Sequence, residues 1–219
     1  MSAHVLLYIL FSFVMGSAPS GLIVVRTIKG MDIRKVGSGN IGATNVRRVA
    51  GTKAGLIVLG CDILKGMLPI LVVLAFYHPN AAAARSWTAG AAALAAVLGH
   101  IFPVFLYLKP SGKGVATALG AYILLAPMAC VSALAFFAAL TALTRRVSIG
   151  SMGAALILPL AVWLTGSETA IIASAIASAF LILLRHKDNI HRLRHGKEPR
   201  FSDPSLTTSE EPSETKSDV

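Results

Sequence analysis

Charge is scarce along this chain, and negative charge is scarcest. Of 219 residues 14% are charged, and ten acidic residues face twenty lysines and arginines. A water-soluble domain normally carries charge on about a quarter of its residues. With 55% hydrophobic residues and a mean hydropathy of +0.71, a soluble globule is excluded. Cysteine is nearly missing as well. Cys61 and Cys130 both sit in apolar runs, so a disulfide framework and a cysteine-built metal site are excluded and two inert buried thiols are expected. No internal repeat is present. A base-stacking surface is missing too: the basic residues are not interleaved with aromatics, so the net charge of +10 does not indicate a nucleic-acid partner. It fits membrane topology, together with attraction for anionic lipids and phosphorylated substrates.

What the chain has is long apolar runs. A helix crosses a bilayer core with roughly 20 apolar residues. Candidate spans are Val5–Val25, Ala54–Tyr77, Trp87–Leu108, Val115–Thr144, Ile149–Thr165 and Thr169–Leu184. The first has no basic residue before it, so it is read as a retained span, not a signal peptide. Val115–Thr144 would be about 45 Å long as one helix, against a core of about 30 Å. Pro127 near its middle breaks or kinks it.

Charge decides the topology. One set of loops holds Lys29, Arg34, Lys35, Arg47, Arg48, Lys53, Lys109, Lys113, Arg145, Arg146 and the basic run from Arg185 to Arg200; the opposite loops hold Arg85. Basic loops share the cytoplasmic side, which requires the chain to turn back at Pro127. The expectation is an all-α, polytopic integral membrane helix bundle of seven transmembrane helices, N-terminus out and C-terminus in. Some helices must be short or tilted. Residues 1–200 form the single transmembrane domain. The polar segment 201–219, rich in Ser, Thr, Glu and Pro, is expected to be a disordered cytoplasmic tail.

Four cytoplasmic segments carry chemistry. In the run from Lys35 to Arg48, Gly37, Gly39 and Gly42 let the backbone approach a ligand; Ser38, Asn40, Thr44 and Asn45 add neutral hydrogen-bonding groups, and Arg47 a planar fork suited to phosphate. The Gly112-Lys113-Gly114 turn opens an apolar helix, where free amides, the positive dipole end and an ammonium combine into a phosphate cradle. Its spacing is not that of a nucleotide P-loop. Arg145-Arg146-Val147-Ser148-Ile149-Gly150-Ser151 brings two hydroxyls that either complete an anion pocket or cap a helix. In the fourth segment His186 and Asn189 share a helical face; the histidine is either a base or an interfacial polar residue. Within the spans, Asp62 and Lys65 are expected to form an ion pair facing the bundle, with a role toward the substrate as the alternative.

Together these motifs resemble the acyl-phosphate-dependent glycerol-3-phosphate acyltransferases of bacteria, the PlsY family. The resemblance runs through Gly16–Gly21, Gly37–Arg47, Asp62–Gly66, Gly99–Phe105, Gly112–Thr117 and His186–Glu198. Ser111 stands where the family usually has glycine, and Gly150 where serine is common. The resemblance implies acyl transfer from acyl phosphate to the 1-hydroxyl of glycerol 3-phosphate, giving lysophosphatidic acid and phosphate, the first step of phospholipid synthesis. It further implies a bacterial inner-membrane location, a cytosolic active site, no cofactor or metal, and a functional partnership with a PlsX-type acyl-phosphate-forming enzyme. The expected catalytic set is Ser38, Arg47, Lys113, His186 and Asn189. The expected substrate-binding set is Gly37, Gly39, Asn40, Thr44, Asn45, Gly112, Gly114, Ser148 and Ser151.

The chain's own chemistry fits such a reaction. An acyl phosphate brings its own leaving group, and there is no G-x-S-x-G nucleophile elbow. A transporter of organic phosphates is the main rival; it predicts polar groups near mid-membrane, whereas these cluster at one surface. A metal-dependent CDP-alcohol transferase would need several intramembrane aspartates, and Asp62 is alone in the spans.

Overall fold

The computed structural model describes residues 3–80 and 82–201. Within them the chain is helical, with no strand. Of the tail expected over 201–219, Phe201 alone is described; residues 202–219 lie outside.

Helix α1 (Ala3–Gly16) and α2 (Ser20–Lys29) are two pieces of the first apolar run, separated by a break that contains Pro19. Proline lacks the amide that a continuous helix would need. Gly30, in the left-handed conformation (φ 67°), closes α2 by donating to the Arg26 carbonyl. A single 3-10 turn at Ile33–Lys35 follows, capped by Asp32. Helix α3 (Ala43–Phe76) is interrupted at Gly51 (φ 85°). Its first part is therefore a separate short helix bearing Asn45, Arg47 and Arg48. Helix α4 spans Ala82–Ile101.

The long run Val115–Thr144 divides where proline was expected to divide it. Helix α5 (Val115–Leu125) ends before Ala126, and Pro127 opens α6 (Pro127–Thr144). At N1 the missing amide costs nothing, because that amide has no helical partner anyway. Helix α7 (Val147–Leu164), α8 (Thr169–Leu184) and the short α9 (Lys187–Arg194) complete the fold. Five helical stretches are long and apolar enough to cross a membrane, and up to six if the bent α8–α9 pair counts as one span. The seventh expected crossing is α5, which at 11 residues rises only about 16 Å. A crossing made by α5 would require the chain before it to descend below the membrane surface.

Helix α1 packs on α4, α3 on α5, α6 on α7, and α8 on both α4 and α7. Small residues let these backbones meet. At the α3–α5 crossing a Cβ on Gly66 would lie 2.0 Å from the Thr117 carbonyl oxygen, and one on Gly120 1.9 Å from that of Ile63. The main apolar core runs through α3 to α8, with Ile70, Val97, Ala121, Leu158 and Ile182 inside it. A second cluster, Leu22, Val25, Ile33, Ile41, Val46, Val58 and Leu106, sits beneath the first polar loop and anchors it. Leu7, Leu56, Phe76, Leu143 and Trp163 face outward, as lipid-facing side chains do. Cys61 is exposed and Cys130 buried, both as free thiols. The expectation of two buried thiols thus holds for Cys130 but not for Cys61, which falls on the outward side of α3.

Gly66→Val should force α3 and α5 apart and destabilise the protein by about 2 kcal/mol. Thermal unfolding in detergent measures this, and an unchanged midpoint would show that the two backbones do not meet there.

Candidate active site

Three helix N-termini converge on one cavity of about 300 Å³. Gly42, Ala43 and Thr44 line it from α3, Gly114, Val115 and Ala116 from α5, and Val147 and Ser148 from α7. None of the three has a side-chain cap. Each therefore turns unpaired amides and a positive dipole end toward the same space. Deeper down the lining is apolar, with Leu119, Cys130, Ala133, Leu134, Phe137 and Leu158 from α5, α6 and α7. The cavity thus has a polar mouth and a greasy slot.

The polar loop is held by Asn45. Its Oδ1 accepts from the Ser38 amide (3.0 Å), and its Nδ2 donates to the carbonyls of Val36 (3.1 Å) and Asn40 (2.9 Å). Asn45 therefore shapes the loop that carries Ser38, and spends its amide doing so. The loop is tied to the Lys113 turn by a hydrogen bond from the Ile41 amide to the Ser111 carbonyl (3.2 Å). That turn is in turn tied to α8, whose C-terminal Arg185 donates from Nε to the Gly112 carbonyl (3.0 Å). Gly114 at φ 85° starts α5 in a conformation suited to glycine.

One hydrogen-bonded chain fixes the cationic side. Lys113 Nζ donates to Asn189 Oδ1 (2.7 Å), Asn189 Nδ2 donates to Glu198 Oε1 (2.6 Å), and Arg192 Nε donates to Glu198 Oε2 (2.8 Å). An ammonium only donates, so Lys113 fixes which end of the Asn189 amide faces it. Arg146 Nε donates to the Glu198 backbone carbonyl (3.2 Å). Burial pushes the Lys113 ammonium down to about 8, with neighbouring Glu198 pulling it back up.

His186 is the acceptor in this setting. Its Nδ1 lies 2.7 Å from the Ile182 carbonyl. A carbonyl only accepts, so Nδ1 carries the hydrogen and the neutral ring turns a lone pair outward on Nε2. Burial, and then the nearby Lys113 charge, push His186 down to about 4. It is neutral at physiological pH.

Of the expected residues, Ser38, Asn40, Thr44, Asn45, Lys113, Gly114, Ser148, Ser151, His186 and Asn189 all line the cavity. Gly37, Gly39 and Gly112 shape the loops behind it. Arg47 does not line it. Its Nη2 donates to the Phe201 carbonyl (2.7 Å), and its Cζ lies 3.7 Å from the centre of the Phe201 ring. The neighbouring Arg48 lines the cavity instead. Arg192, Glu198, Asp62 and His100 also reach it, and none had been assigned a role in it. Glu198 could have been noticed as one of two acids, with Asp188, within a basic run. Asp62 does bind Lys65 (2.9 Å), as the spacing implied, and it also accepts from Ser20 (2.5 Å). Among the described residues no group of three or more His, Cys, Asp or Glu side chains is placed to hold a metal ion.

A cavity edged by Arg48, Lys113, Arg192 and three helix N-termini suits phosphate, and its apolar extension suits an acyl chain. Comparison with known proteins agrees. The profile of the glycerol-3-phosphate acyltransferase family matches residues 6–196. The glycerol-3-phosphate acyltransferase of Syntrophotalea carbinolica is 42% identical over 193 residues, 88% of this chain and 95% of that protein. That of Geobacter sulfurreducens is 43% identical over 192 residues, 87% of this chain and 94% of that protein. The crystal structure of PlsY (YgiH), an integral membrane glycerol 3-phosphate acyltransferase, in its glycerol 3-phosphate form superposes with a TM-score of 0.83. It is 36% identical, covering 91% of this chain and 96% of that one. Its lysophosphatidic acid form gives a TM-score of 0.81 at 35% identity, covering 90% and 95%.

Arginine placement gives a direct test. Arg48→Ala should weaken binding of inorganic phosphate about tenfold or more, the worth of one charge-assisted contact, while Arg47→Ala should change it less than about threefold. Titration calorimetry on the two variants decides, and the reverse order would move the site to the other face of the first α3 segment.

Proposed function

This chain belongs to the glycerol-3-phosphate acyltransferase family, and from that premise we propose that it moves an acyl group from acyl phosphate to the 1-hydroxyl of sn-glycerol 3-phosphate. One observation carries the reading: three uncapped helix N-termini and a lysine meet where a polar mouth joins an apolar slot. Both substrates carry phosphate, and the donor also carries a long alkyl chain. A single cavity with those two halves accepts both.

In the proposed reaction the glycerol 1-oxygen forms a bond to the acyl carbon, and the bond from that carbon to the phosphate oxygen breaks. Products are lysophosphatidic acid and inorganic phosphate. The leaving group is already activated, so catalysis consists of positioning and charge stabilisation. Lys113 and the α5 amides hold one phosphate. Arg48, Ser38 and the α3 amides hold the other or polarise the carbonyl. Arg48 takes the role first expected of Arg47, because of these two neighbours it is the one that lines the cavity. Ser148 and Ser151 supply hydroxyls from α7. Asn189, oriented by Lys113 and Glu198, and neutral His186 orient glycerol 3-phosphate. The hydroxyl proton has two acceptors, His186 Nε2 and a substrate phosphate oxygen. His186→Gln separates them: it keeps a hydrogen-bonding group but is not basic, so a large loss of kcat assigns the proton to the histidine and a small loss assigns it to the phosphate.

The seven-crossing topology, N-terminus out, belongs to the same reading. The basic loops then share the cytosolic side of a bacterial inner membrane with the site, where a PlsX-type enzyme would supply the donor. In the PlsY crystal structures glycerol 3-phosphate and lysophosphatidic acid are the named ligands, the acceptor and product of this reaction.

Purified protein given acyl phosphate and glycerol 3-phosphate, with neither metal nor coenzyme A, should form lysophosphatidic acid. Lys113→Ala should abolish turnover while leaving insertion and folding intact. Counterflow of glycerol 3-phosphate across vesicles without product would instead make the protein a transporter.

The lysine also sets a pH limit. Its ammonium is held below the usual lysine range, so the cation that grips phosphate is present at neutral pH and lost as pH rises through about 8. Above that point kcat/KM for the substrate it holds should fall about tenfold per pH unit. Lys113→Arg, whose charge persists, should flatten that alkaline limb at a lower overall rate; a limb that survives the change belongs to another group.

A further inference from the structure

Below the phosphate turn lies a charged cluster that the acyl-transfer chemistry does not use. Asp62 of α3 is buried. Its Oδ1 accepts from Ser20 Oγ (2.5 Å) and from Lys65 Nζ (2.9 Å), and Lys65 also donates to the Ala18 carbonyl (2.8 Å). His100, at the end of α4, turns its Nδ1 toward the same Asp62 oxygen at 3.6 Å. That nitrogen is buried and has no hydrogen bond within the protein. A buried polar atom without a partner is costly, and the carboxylate it faces is the group that would satisfy it.

The other edge of the His100 ring lies against the phosphate turn. A Cβ on Gly112 would fall 2.2 Å from His100 Nε2 and 2.6 Å from the His100 carbonyl oxygen. The next backbone contact is equally close, since the Ser111 amide donates to the Ile101 carbonyl (3.0 Å). The ring is thus the floor on which Gly112 rests, one residue before Lys113.

We propose that Asp62 and His100 are a positioning pair for the phosphate turn. Asp62, itself clamped by Ser20 and Lys65, fixes the orientation of the His100 ring. The ring sets the height of Gly112 and therefore the place of the Lys113 ammonium and the α5 amides. Neither residue has to touch the reacting atoms. A phosphate grip depends on where its ammonium and amides are held, and a site loosened by a fraction of an ångström loses affinity, so an exact floor matters here. The alternative is a purely structural role, in which the buried pair only joins α2, α3 and α4. This inference rests on the acyl-transfer reading of the cavity above it.

The test uses the full-length enzyme in detergent or lipid. In Asp62→Asn and in His100→Ala, the KM of one phosphorylated substrate should rise about tenfold, with the KM of the other substrate and kcat within about threefold. Gly112→Ala, which drives a methyl into the ring, should give the same selective defect. In the His100→Ala background, where the ring is gone and only the clash with the residue-100 carbonyl oxygen remains, adding Gly112→Ala should raise that KM by clearly less than it does in the wild type, because the two changes share the ring contact. Unchanged KM values in both single variants overturn the proposal. So does a uniform loss of kcat and both affinities in step with a lower melting temperature, which is the signature of a structural pair. Should Asp62→Asn fail to accumulate as folded protein, Ser20→Ala, which removes one of the carboxylate's clamps, is judged by the same KM split. If the wild-type protein makes no lysophosphatidic acid, the acyl-transfer reading has failed separately. The pair is then judged by the dissociation constant for inorganic phosphate, expected to be about tenfold weaker in both variants and overturned if equal.

Discussion

A helix start leaves unpaired amides, and hydrocarbon cannot satisfy them. Three such starts, on α3, α5 and α7, open on a single cavity. Much of the remaining structure follows from that demand. The carboxylates at the cavity are already engaged: Asp62 with Lys65 and Ser20, Glu198 with Asn189 and Arg192. Lys113 and the helix ends therefore leave a surplus of positive potential in a low-dielectric place. A phosphorylated ligand is the natural counter-charge, and its attraction is far stronger there than in water. The same surplus adds to burial in keeping His186 neutral. A neutral imidazole beside cations remains available as an acceptor.

The shortness of α5 is the geometric counterpart of that electrostatic demand. A helix of 11 residues covers about half of the hydrocarbon thickness. In the proposed seven-crossing topology its N-terminus, and the Lys113 turn with it, sit below the membrane surface. Irregular backbone at that depth is tolerated only where protein or a water-filled cavity surrounds it. The turn meets this condition through Ile41, Ile101 and Arg185, each joined to it by a hydrogen bond. The loop above rests on its own small core of Ile33, Ile41, Val46 and Leu106. The anion site is therefore carried by packed elements and not by free loops, which keeps its geometry fixed as ligands come and go.

Several of these features were legible in the chain itself. Hydropathy located the apolar helices, and Pro127 placed the break between α5 and α6. The Gly-rich loop, the Lys113 turn, the Ser148–Ser151 segment and the His186–Asn189 pair could each be recognised locally, because each is a short motif at a helix boundary. Arg47 against Arg48 could not be decided that way. Adjacent residues on a helix point about 100° apart, and which of them faces the cavity depends on how the first α3 segment is docked by Val46 and interrupted at Gly51. Glu198, Arg192 and His100 were obscure for a related reason. Their partners are 6 to 52 positions away, and nothing local says that Asn189 will lie between Lys113 and Glu198. The Cys61 side chain was misplaced because an apolar span has no polar face to show which side meets lipid.

The union of mouth and slot bears on how two unlike substrates reach one another. Glycerol 3-phosphate is small and soluble, and it meets the cavity where the cations are. An acyl chain is insoluble and belongs in the bilayer, where α5, α6 and α7 offer the apolar lining from Leu119 to Leu158. Burying that chain supplies binding energy, roughly 0.8 kcal/mol per methylene, at a distance from the reacting carbon. Such remote binding energy can hold the donor's charged end against the helix amides without any covalent attachment to the protein. That is why a site with no nucleophile elbow suffices in the proposed reaction: the apolar side of the cavity anchors the donor, the cationic side anchors the acceptor, and the proposed floor under Lys113 keeps the two anchors in register.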